Sequence, residues 1–172
     1  PYTTLFRSVP EFNFYDNFWK IYTNMENQPP QYVAPGAKLK QSIVSEGCEI
    51  YGEVYSSVIG PDVTVEEGAV IRDSIIMENV VIKKGAVLDR CIIDRNTVIG
   101  EGAVLGMGEN IPNEKKPNIY NTGITVAGEN TVVPPGVKIG KNCVIFGKTE
   151  PEDYPYGEAA SGKTVIREGV LI

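Results

Sequence analysis

The chain repeats itself in three consecutive segments, IGPDVTVEEGAVIRDSI (residues 59–75), IMENVVIKKGAVLDRCI (76–92) and IDRNTVIGEGAVLGMGE (93–109). Within each segment, large aliphatic residues recur at every sixth position. They are Ile59, Val65 and Ile71, then Ile76, Ile82 and Leu88, then Ile93, Ile99 and Leu105. A spacing of six is a multiple of the two-residue period of a β-strand and does not fit the helical period of about 3.6 residues. The repeat therefore predicts short strands on a regular coil.

The position three residues after each aliphatic residue indicates where the coil turns. It is occupied by Asp62, Gly68, Asn79, Gly85, Asn96 and Gly102. Asp, Asn and Gly adopt a left-handed backbone conformation at little cost. Each six-residue unit, or hexad, is therefore expected to end at a corner. Three hexads then return the chain to its starting direction, one coil higher. The sequence predicts an all-β fold, a single-stranded parallel β-helix.

The fifth position of each hexad is expected to share the interior with the first. It is occupied by Val63, Ala69, Ile75, Val80, Ala86, Ile92, Thr97 and Ala103. A further coil resumes at Ala127, with Asn130, Gly136 and Asn142 at its corners, and a shorter one runs from Val44 to Val58. Together these segments predict a β-helix of about five coils.

The rest of the chain divides around this repeat. Residues 1–10 match nothing that follows and are expected to be non-native or disordered, and residues 11–41 are predicted to be an aromatic interdomain linker. Its segment EFNFYDNFWKIY (11–22) is expected to pack across one end of the following domain or against a second domain. The β-helix is predicted over 42–147, with a loop insertion at 106–126 that serves as surface decoration or as an interface. Residues 148–172 are expected to cap the open coil edge.

Composition limits the possible partners and the compartment. The net charge of −6 gives no electrostatic basis for binding nucleic acid or anionic lipid, and both are excluded as predicted partners. Cys48, Cys91 and Cys143 lie far apart without CxxC spacing, and the sequence has neither a signal-peptide pattern nor a long apolar run. A cytoplasmic location is predicted, with the three cysteines filling the core.

The chain contains no histidine, which decides between the activities that a hexapeptide β-helix hosts. A hexapeptide acyltransferase deprotonates its acceptor with a histidine, and the carbonic anhydrase built on the same kind of β-helix holds zinc on three histidines. Neither site can be built from this chain alone. A third use remains, in which the β-helix is an accessory domain of an enzyme.

Three stretches show a specific resemblance. They are FYDNFWKIYTNMENQPPQYV (14–33), DSIIMENVVIKKGAVLDRCIIDRNTVIGEGAVLG (73–106) and IPNEKKPNIYNTGITVAGENTVVPPGVKIGKNCVI (111–145). The chain resembles the C-terminal part of bacterial glucose-1-phosphate adenylyltransferase, also called ADP-glucose pyrophosphorylase, over about residues 11–147. The aromatic linker and the RCIIDR segment are its most specific features. The resemblance implies a left-handed coil, a handedness that residue spacing does not supply.

The resemblance also implies a function. The family transfers an adenylyl group from ATP to glucose 1-phosphate for glycogen synthesis, with Mg²⁺ in an N-terminal catalytic domain. No Gly-rich phosphate loop follows a strand near the start of this chain, so we expect a fragment that is inactive alone. The predicted partners are its own missing catalytic domain, a homo- or hetero-tetramer and an anionic sugar-phosphate effector. The alternatives are the non-catalytic regulatory paralogue, the accessory β-helix of another sugar nucleotidyltransferase and a pure interaction module.

Four basic residues are the predicted effector contacts, namely Lys83, Lys84, Arg90 and Arg95. Arg90 and Arg95 match the RCIIDR segment of the family, and the coil is expected to bring several of the four within reach of one phosphate. The alternative is that they are solvated charges paired with acids such as Asp89 or Asp94, an interaction worth little energy. No catalytic residue and no metal ligand is predicted in this chain.

Overall fold

In the computed structural model, which describes residues 28–167, short strands succeed one another around a three-sided coil. All pairing between strands is parallel, and each strand away from the ends pairs with the corresponding strand of the coil above and of the coil below, while the end strands pair on one side only. The predicted all-β parallel β-helix is confirmed. The expectations for residues 1–10 and for the aromatic segment 11–22 fall outside the described residues.

The three sides of the coil form three parallel sheets, which we call faces A, B and C. Face A consists of β1 (Tyr32–Val33), β4 (Glu49–Ile50), β7 (Thr64–Val65), β10 (Val81–Ile82), β13 (Val98–Ile99) and β16 (Val132–Val133). Face B consists of β2 (Lys38–Lys40), β5 (Glu53–Tyr55), β8 (Val70–Arg72), β11 (Val87–Asp89), β14 (Val104–Met107), β17 (Lys138–Gly140) and β19 (Glu158–Ala159). Face C consists of β3 (Ile43–Val44), β6 (Val58–Ile59), β9 (Ile75–Ile76), β12 (Cys91–Ile93), β15 (Thr125–Ala127), β18 (Val144–Phe146) and β20 (Thr164–Ile166). Two 3-10 turns, Pro151–Asp153 and Pro155–Gly157, lie between β18 and β19, where a seventh strand of face A would stand.

The coil count is higher than the sequence indicates. Faces B and C each contain seven strands, so there are seven coils rather than about five. Six spacings of about 4.8 Å make the prism about 29 Å tall. The additional strands β1 and β2 lie in the segment assigned to the linker, and β19 and β20 lie in the segment assigned to the capping tail. Prolines interrupt the aliphatic hexads in both places, which conceals these coils in the sequence.

The interior is built from the aliphatic positions of the repeat. All nine hexad residues between Ile59 and Leu105 are at most 1% exposed, as the repeat predicts. Their columns run through the prism because Ile82 pairs with both Val65 and Ile99, at offsets of one coil. Burial of each Ile or Leu side chain contributes about 1.5–3 kcal/mol, so the columns are the main source of stability.

One expectation about the interior is wrong. Ile75 was expected to face inward, but it is 45% exposed, and Ile92 likewise points outward from face C. The cause is the shortened corner between Ile71 and Ile76, where one residue fewer lets Ser74 take the inward place. The buried Ser74 hydroxyl donates to the Arg72 carbonyl (2.6 Å) and accepts the backbone N–H of Cys91 in the next coil (3.0 Å).

The corners between faces follow the residue types. All six predicted corner residues have positive φ, between 54° and 71°, as do Asn130, Gly136 and Asn142. The third corner, between faces B and C, where Asn142 lies, also has positive φ in the earlier coils, at Gln41, Ser56, Asp73 and Arg90. The residue types of Gln41, Ser56 and Arg90 do not predict positive φ. The Arg90 N–H donates to the Arg72 carbonyl one coil below (3.1 Å), and this stacking bond offsets the conformational cost.

Within residues 28–167, no helix has the length and the hydropathy that a membrane crossing requires.

Candidate functional site

Lys83 and Lys84 lie at the corner between faces A and B, directly after β10. The ammonium group of Lys83 contacts Glu66 Oε1 at 2.9 Å, and the other oxygen of Glu66 accepts the backbone N–H of Lys84 at 2.9 Å. These bonds, that from Lys83 first, hold the pKa of Glu66 below its ordinary value. The side chain of Lys84 is exposed. This corner therefore presents one paired ammonium group beside one that extends into solvent.

Arg95 lies at the corner between faces C and A. Its guanidinium is 3.8 Å from Glu78 in the coil below and 3.5 Å from Glu129 in the coil above. Asp94, which the sequence suggested as a partner, instead accepts the backbone N–H of Arg95 at 2.8 Å. All three side chains of this ion-pair group are about half exposed, so each pair contributes little to stability.

Arg90 lies at the third corner, between faces B and C. Its side chain donates from Nη2 to the carbonyl of Thr122 at 2.9 Å, which joins the corner to the loop insertion. The four predicted contacts therefore occupy three different corners of the prism. A complete face, roughly 15–20 Å for five or six extended residues, separates each corner from the next. The structure brings Lys83 and Lys84 together and does not bring Arg90 or Arg95 to them.

The insertion between β14 and β15 is held on the prism by a buried amide. The side chain of Asn142 is completely buried at the corner between faces B and C. Its oxygen accepts the N–H of Gly123 at 2.7 Å, and its amide donates to Asn110 Oδ1 (2.8 Å) and to the Ile111 carbonyl (2.7 Å). Both ends of the insertion are thus fixed to one side chain.

A second amide, Asn113, is only 1% exposed and orders the middle of the insertion. It donates to the Asn142 carbonyl (3.0 Å) and to Thr164 Oγ1 (3.1 Å), while its own oxygen accepts the N–H groups of Lys115 (3.0 Å) and Lys116 (3.1 Å). Sequence reasoning missed Asn113, because an Asn inside a Pro-rich loop carries no periodic signal. The result is an ordered cover over the corner, which exposes two lysines at its tip.

Face C carries a shallow apolar groove of about 420 Å³. The residues that line it include Val58, Ile75, Met77 and Arg95. Val58, Ile75 and Met77 are each 41–45% exposed. The sequence did not predict this groove, since Ile75 was assigned to the interior.

The described residues contain no activated nucleophile. Burial raises the pKa of the Cys91 thiol to about 12, and it also raises the pKa of Cys48 and of Cys143. All three are free thiols that remain protonated near neutral pH and pack in the core.

Among residues 28–167, no three His, Cys, Asp or Glu side chains come close enough together to hold a metal ion. Mg²⁺ prefers a cluster of oxygen ligands, which this part of the chain does not provide; the resemblance places Mg²⁺ in the N-terminal catalytic domain.

Residues 32–127, more than half of the chain, match the family described as GlmU-like, C-terminal hexapeptide. The chain belongs to this hexapeptide family. The match covers the first coils up to β15 and agrees with the columns of six-residue spacing described above.

Curated relatives of this hexapeptide domain share one name. A glucose-1-phosphate adenylyltransferase of Lachnospira eligens is 56% identical over 161 residues, which cover 94% of this chain and 38% of the relative. One of Acetivibrio thermocellus is 47% identical over 165 residues, covering 96% of this chain and 39% of the relative. The chain thus spans less than two fifths of the length of these relatives and matches their C-terminal portion.

A solved structure supports the hexapeptide fold. A Desulfovibrio desulfuricans G20 protein assigned as an acetyltransferase matches 66% of this chain and 22% of its own, with a TM-score of 0.54 and 17% identity. At this identity the similarity concerns the fold alone.

Proposed function

We propose that this chain is the C-terminal β-helix domain of a glucose-1-phosphate adenylyltransferase, and that it serves assembly and regulation. The observation that carries the proposal is 56% identity over 94% of the chain, to relatives of which it spans 38%. In such an enzyme the preceding domain would bind ATP, Mg²⁺ and glucose 1-phosphate and release ADP-glucose and pyrophosphate. The buried thiols and the outward-facing charged corners described above support a domain that binds rather than reacts.

The test compares this chain with the longer protein recovered by extending the reading frame upstream. With ATP, Mg²⁺ and glucose 1-phosphate, the longer protein should form ADP-glucose, and this chain alone should form none. ADP-glucose formation by the chain alone would refute the assignment of chemistry to the preceding part. A longer protein active only on another sugar phosphate would support the accessory domain of a different nucleotidyltransferase. A completely inactive one would support the regulatory paralogue.

We further propose that Lys83 and Lys84 contact an anionic sugar-phosphate effector. They are the only two of the four candidate residues that share a corner, and Lys84 extends into solvent there. In the longer enzyme, Lys83→Ala combined with Lys84→Ala should raise the activator concentration for half-maximal response several-fold and leave basal turnover unchanged. Lys38→Ala is the matched control, because Lys38, like Lys83, pairs with a glutamate of the neighbouring coil, here Glu53 at 2.7 Å. Unchanged activation in the double variant would remove this proposal.

Arg90 and Arg95 remain candidate contacts at their own corners. Two glutamates already surround Arg95, and Arg90 is engaged by the insertion, so an effector would have to compete at both positions. We therefore expect Arg95→Ala to weaken activation less than Lys84→Ala does.

For the longer protein we propose a cytoplasmic location and assembly into a homo- or hetero-tetramer. Its sedimentation measures this assembly directly.

A further inference from the structure

The first coil leaves the interior of the prism open. Val33, Leu39 and Val44 occupy the inward positions of β1, β2 and β3, as their pairing with Ile50, Val54 and Ile59 shows. In the second coil, all three of those partners are completely buried. In the first coil, Val33 is 41% exposed and Leu39 is 39% exposed. The outer edges of the same three strands also carry no pairing strand within residues 28–167. Solenoid ends of this kind require a cap.

The opposite end shows how this chain closes a coil. Tyr154, between β18 and β19, packs into the core cluster and is only 2% exposed. Its hydroxyl lies 2.8 Å from Thr149 Oγ1, so the polar tip is satisfied while the ring fills the interior. An aromatic side chain from an irregular segment therefore takes the place of a strand at that end.

The chain joins the open end from the side. The Pro29 carbonyl accepts the N–H of Gly47 at 2.7 Å, and the Tyr32 N–H donates to the Cys48 carbonyl at 2.7 Å, so the backbone joins the first coil at the corner between faces C and A. Only residues 23–28 separate Pro29 from the aromatic segment 11–22. Six extended residues span about 20 Å, about one side of the coil, so the segment can reach any part of the opening.

We propose that residues 11–22 cap the open end, with their aromatic side chains packed against Val33, Leu39 and Val44. The segment supplies six aromatic side chains within twelve residues, Phe12, Phe14, Tyr15, Phe18, Trp19 and Tyr22. The groove on face C is the weaker candidate for this segment. Its exposed side chains occupy outward positions, whereas those at the open end occupy positions that the second to sixth coils bury. The proposal goes beyond the assigned function, since it holds whatever reaction the longer protein catalyses.

Trp19 is the single tryptophan of the chain and reports directly on the cap. We expect the intact chain to show blue-shifted Trp19 emission and several-fold weaker acrylamide quenching than the urea-unfolded chain. Leu39→Lys should shift the emission to the red and increase quenching several-fold. The matched control is Ile75→Lys on face C, where the native side chain is similarly exposed, at 45%, and the emission should not change. If Leu39→Lys loses its β-type circular dichroism, Leu39→Ala is used instead, and Trp19 emission and quenching are measured in the same way.

A thermodynamic cycle between Leu39→Ala and Trp19→Ala adds a second readout. If the two side chains pack together, the loss of stability from Leu39→Ala is smaller in the Trp19→Ala background. Solvent-exposed Trp19 in the intact chain, or a cycle without coupling, overturns the proposal. Exposure of Trp19 by Ile75→Lys instead places the segment on face C and also overturns it. If Trp19 is protected only at concentrations at which the chain dimerises, a second copy of the chain covers the open end. This result also overturns the proposal.

Discussion

Two threonines in one interior column have opposite environments. Thr97 and Thr131 precede paired strands of face A, and both side chains are completely buried. The Thr97 hydroxyl is 2.9 Å from the Gly128 carbonyl, whereas the Thr131 hydroxyl has no partner among the described residues. Thr97→Val should lower the free energy of unfolding by about 1–2 kcal/mol because it leaves a buried carbonyl unpaired. Thr131→Val should leave it unchanged or raise it by up to about 1 kcal/mol because it removes an unpaired hydroxyl.

Urea denaturation of the two variants with a common slope measures this difference. Val63 and Val80 occupy the same column two and one coils below Thr97, so valine fits the space in both variants. Equal losses in Thr97→Val and Thr131→Val would show that the Thr131 hydroxyl is satisfied in solution, for example by a buried water.

Cys91 makes the stability depend on alkaline pH. Burial raises the pKa of its thiol from an ordinary value of 9.0 to about 12. Between these values the unfolded chain has released a proton that the folded chain still holds. The free energy of unfolding is therefore unaffected below pH 9 and falls as the pH rises towards 12, by at most about 1.4 kcal/mol per pH unit for this group.

Tyr154, whose pKa burial also raises to about 12, acts in the same direction. Cys91→Ala should therefore reduce the alkaline slope of the denaturation midpoint without abolishing it. The native thiol should also resist a thiol reagent at pH 8 and react on unfolding. Rapid labelling of Cys91 in the folded chain would contradict the assigned burial.

At the residue scale, the sequence predicts those corners of the coil that depend on residue type alone. Asp62, Asn79 and their counterparts turn corners because their residue types tolerate positive φ. Arg90 turns a corner although its residue type does not favour positive φ, and it is held there by the same kind of backbone bond to the coil below that Asn79 makes. Tertiary contacts of this kind leave no trace in the local sequence, so both this corner and the separation of the four basic residues had to be observed.

At the scale of elements, the insertion is held by polar contacts and its order should be sensitive to one side chain. Asn113→Ala removes two hydrogen bonds that link the insertion to the last two coils and two more within the insertion. We expect a loss of about 1–3 kcal/mol in the free energy of unfolding, since buried partners are left unpaired. Tryptic cleavage after Lys115 should become several-fold faster.

Asn118→Ala provides the control, because Asn118 lies in the same insertion and is exposed. Cleavage at Lys115 should proceed in this variant as it does in the unchanged chain. If Asn113→Ala and Asn118→Ala are cleaved equally fast, the buried amide does not determine the order of the insertion.

The end coils show where prediction of elements fails. Val33, Leu39 and Val44 keep the inward spacing of six and five residues, but Pro29, Pro30 and Pro35 make the segment read as a linker. Proline lacks a backbone N–H, and each of these three lies outside the strands, where no ladder bond is lost. The inward spacing thus indicates a coil even where prolines lie between the strands. On that basis the first coil could have been predicted from the sequence.

At the scale of the whole molecule, residue spacing predicts the coil and leaves its handedness open. A repeat of six residues with corners at fixed positions closes a triangle equally well in either sense. The left-handed winding that the resemblance implies therefore stays a prediction. The coil count depends on the two ends, where the interior is closed by aromatic or irregular segments instead of repeats.

The 17-residue offset between coils makes one whole coil removable. Deletion of residues 76–92 joins Ile75, which points outward, to Ile93, which points inward, and so preserves the alternation that Ile75 and Ile76 show. In each column, inward residues still stack on inward residues of the neighbouring coil. This variant should therefore unfold cooperatively at a lower urea midpoint and with unchanged circular dichroism per residue. Deletion of 76–91 leaves one surplus residue at the junction, which has to bulge or slip in register. Its midpoint should fall below that of the 17-residue deletion, and equal midpoints would show that the columns do not set the register of the prism.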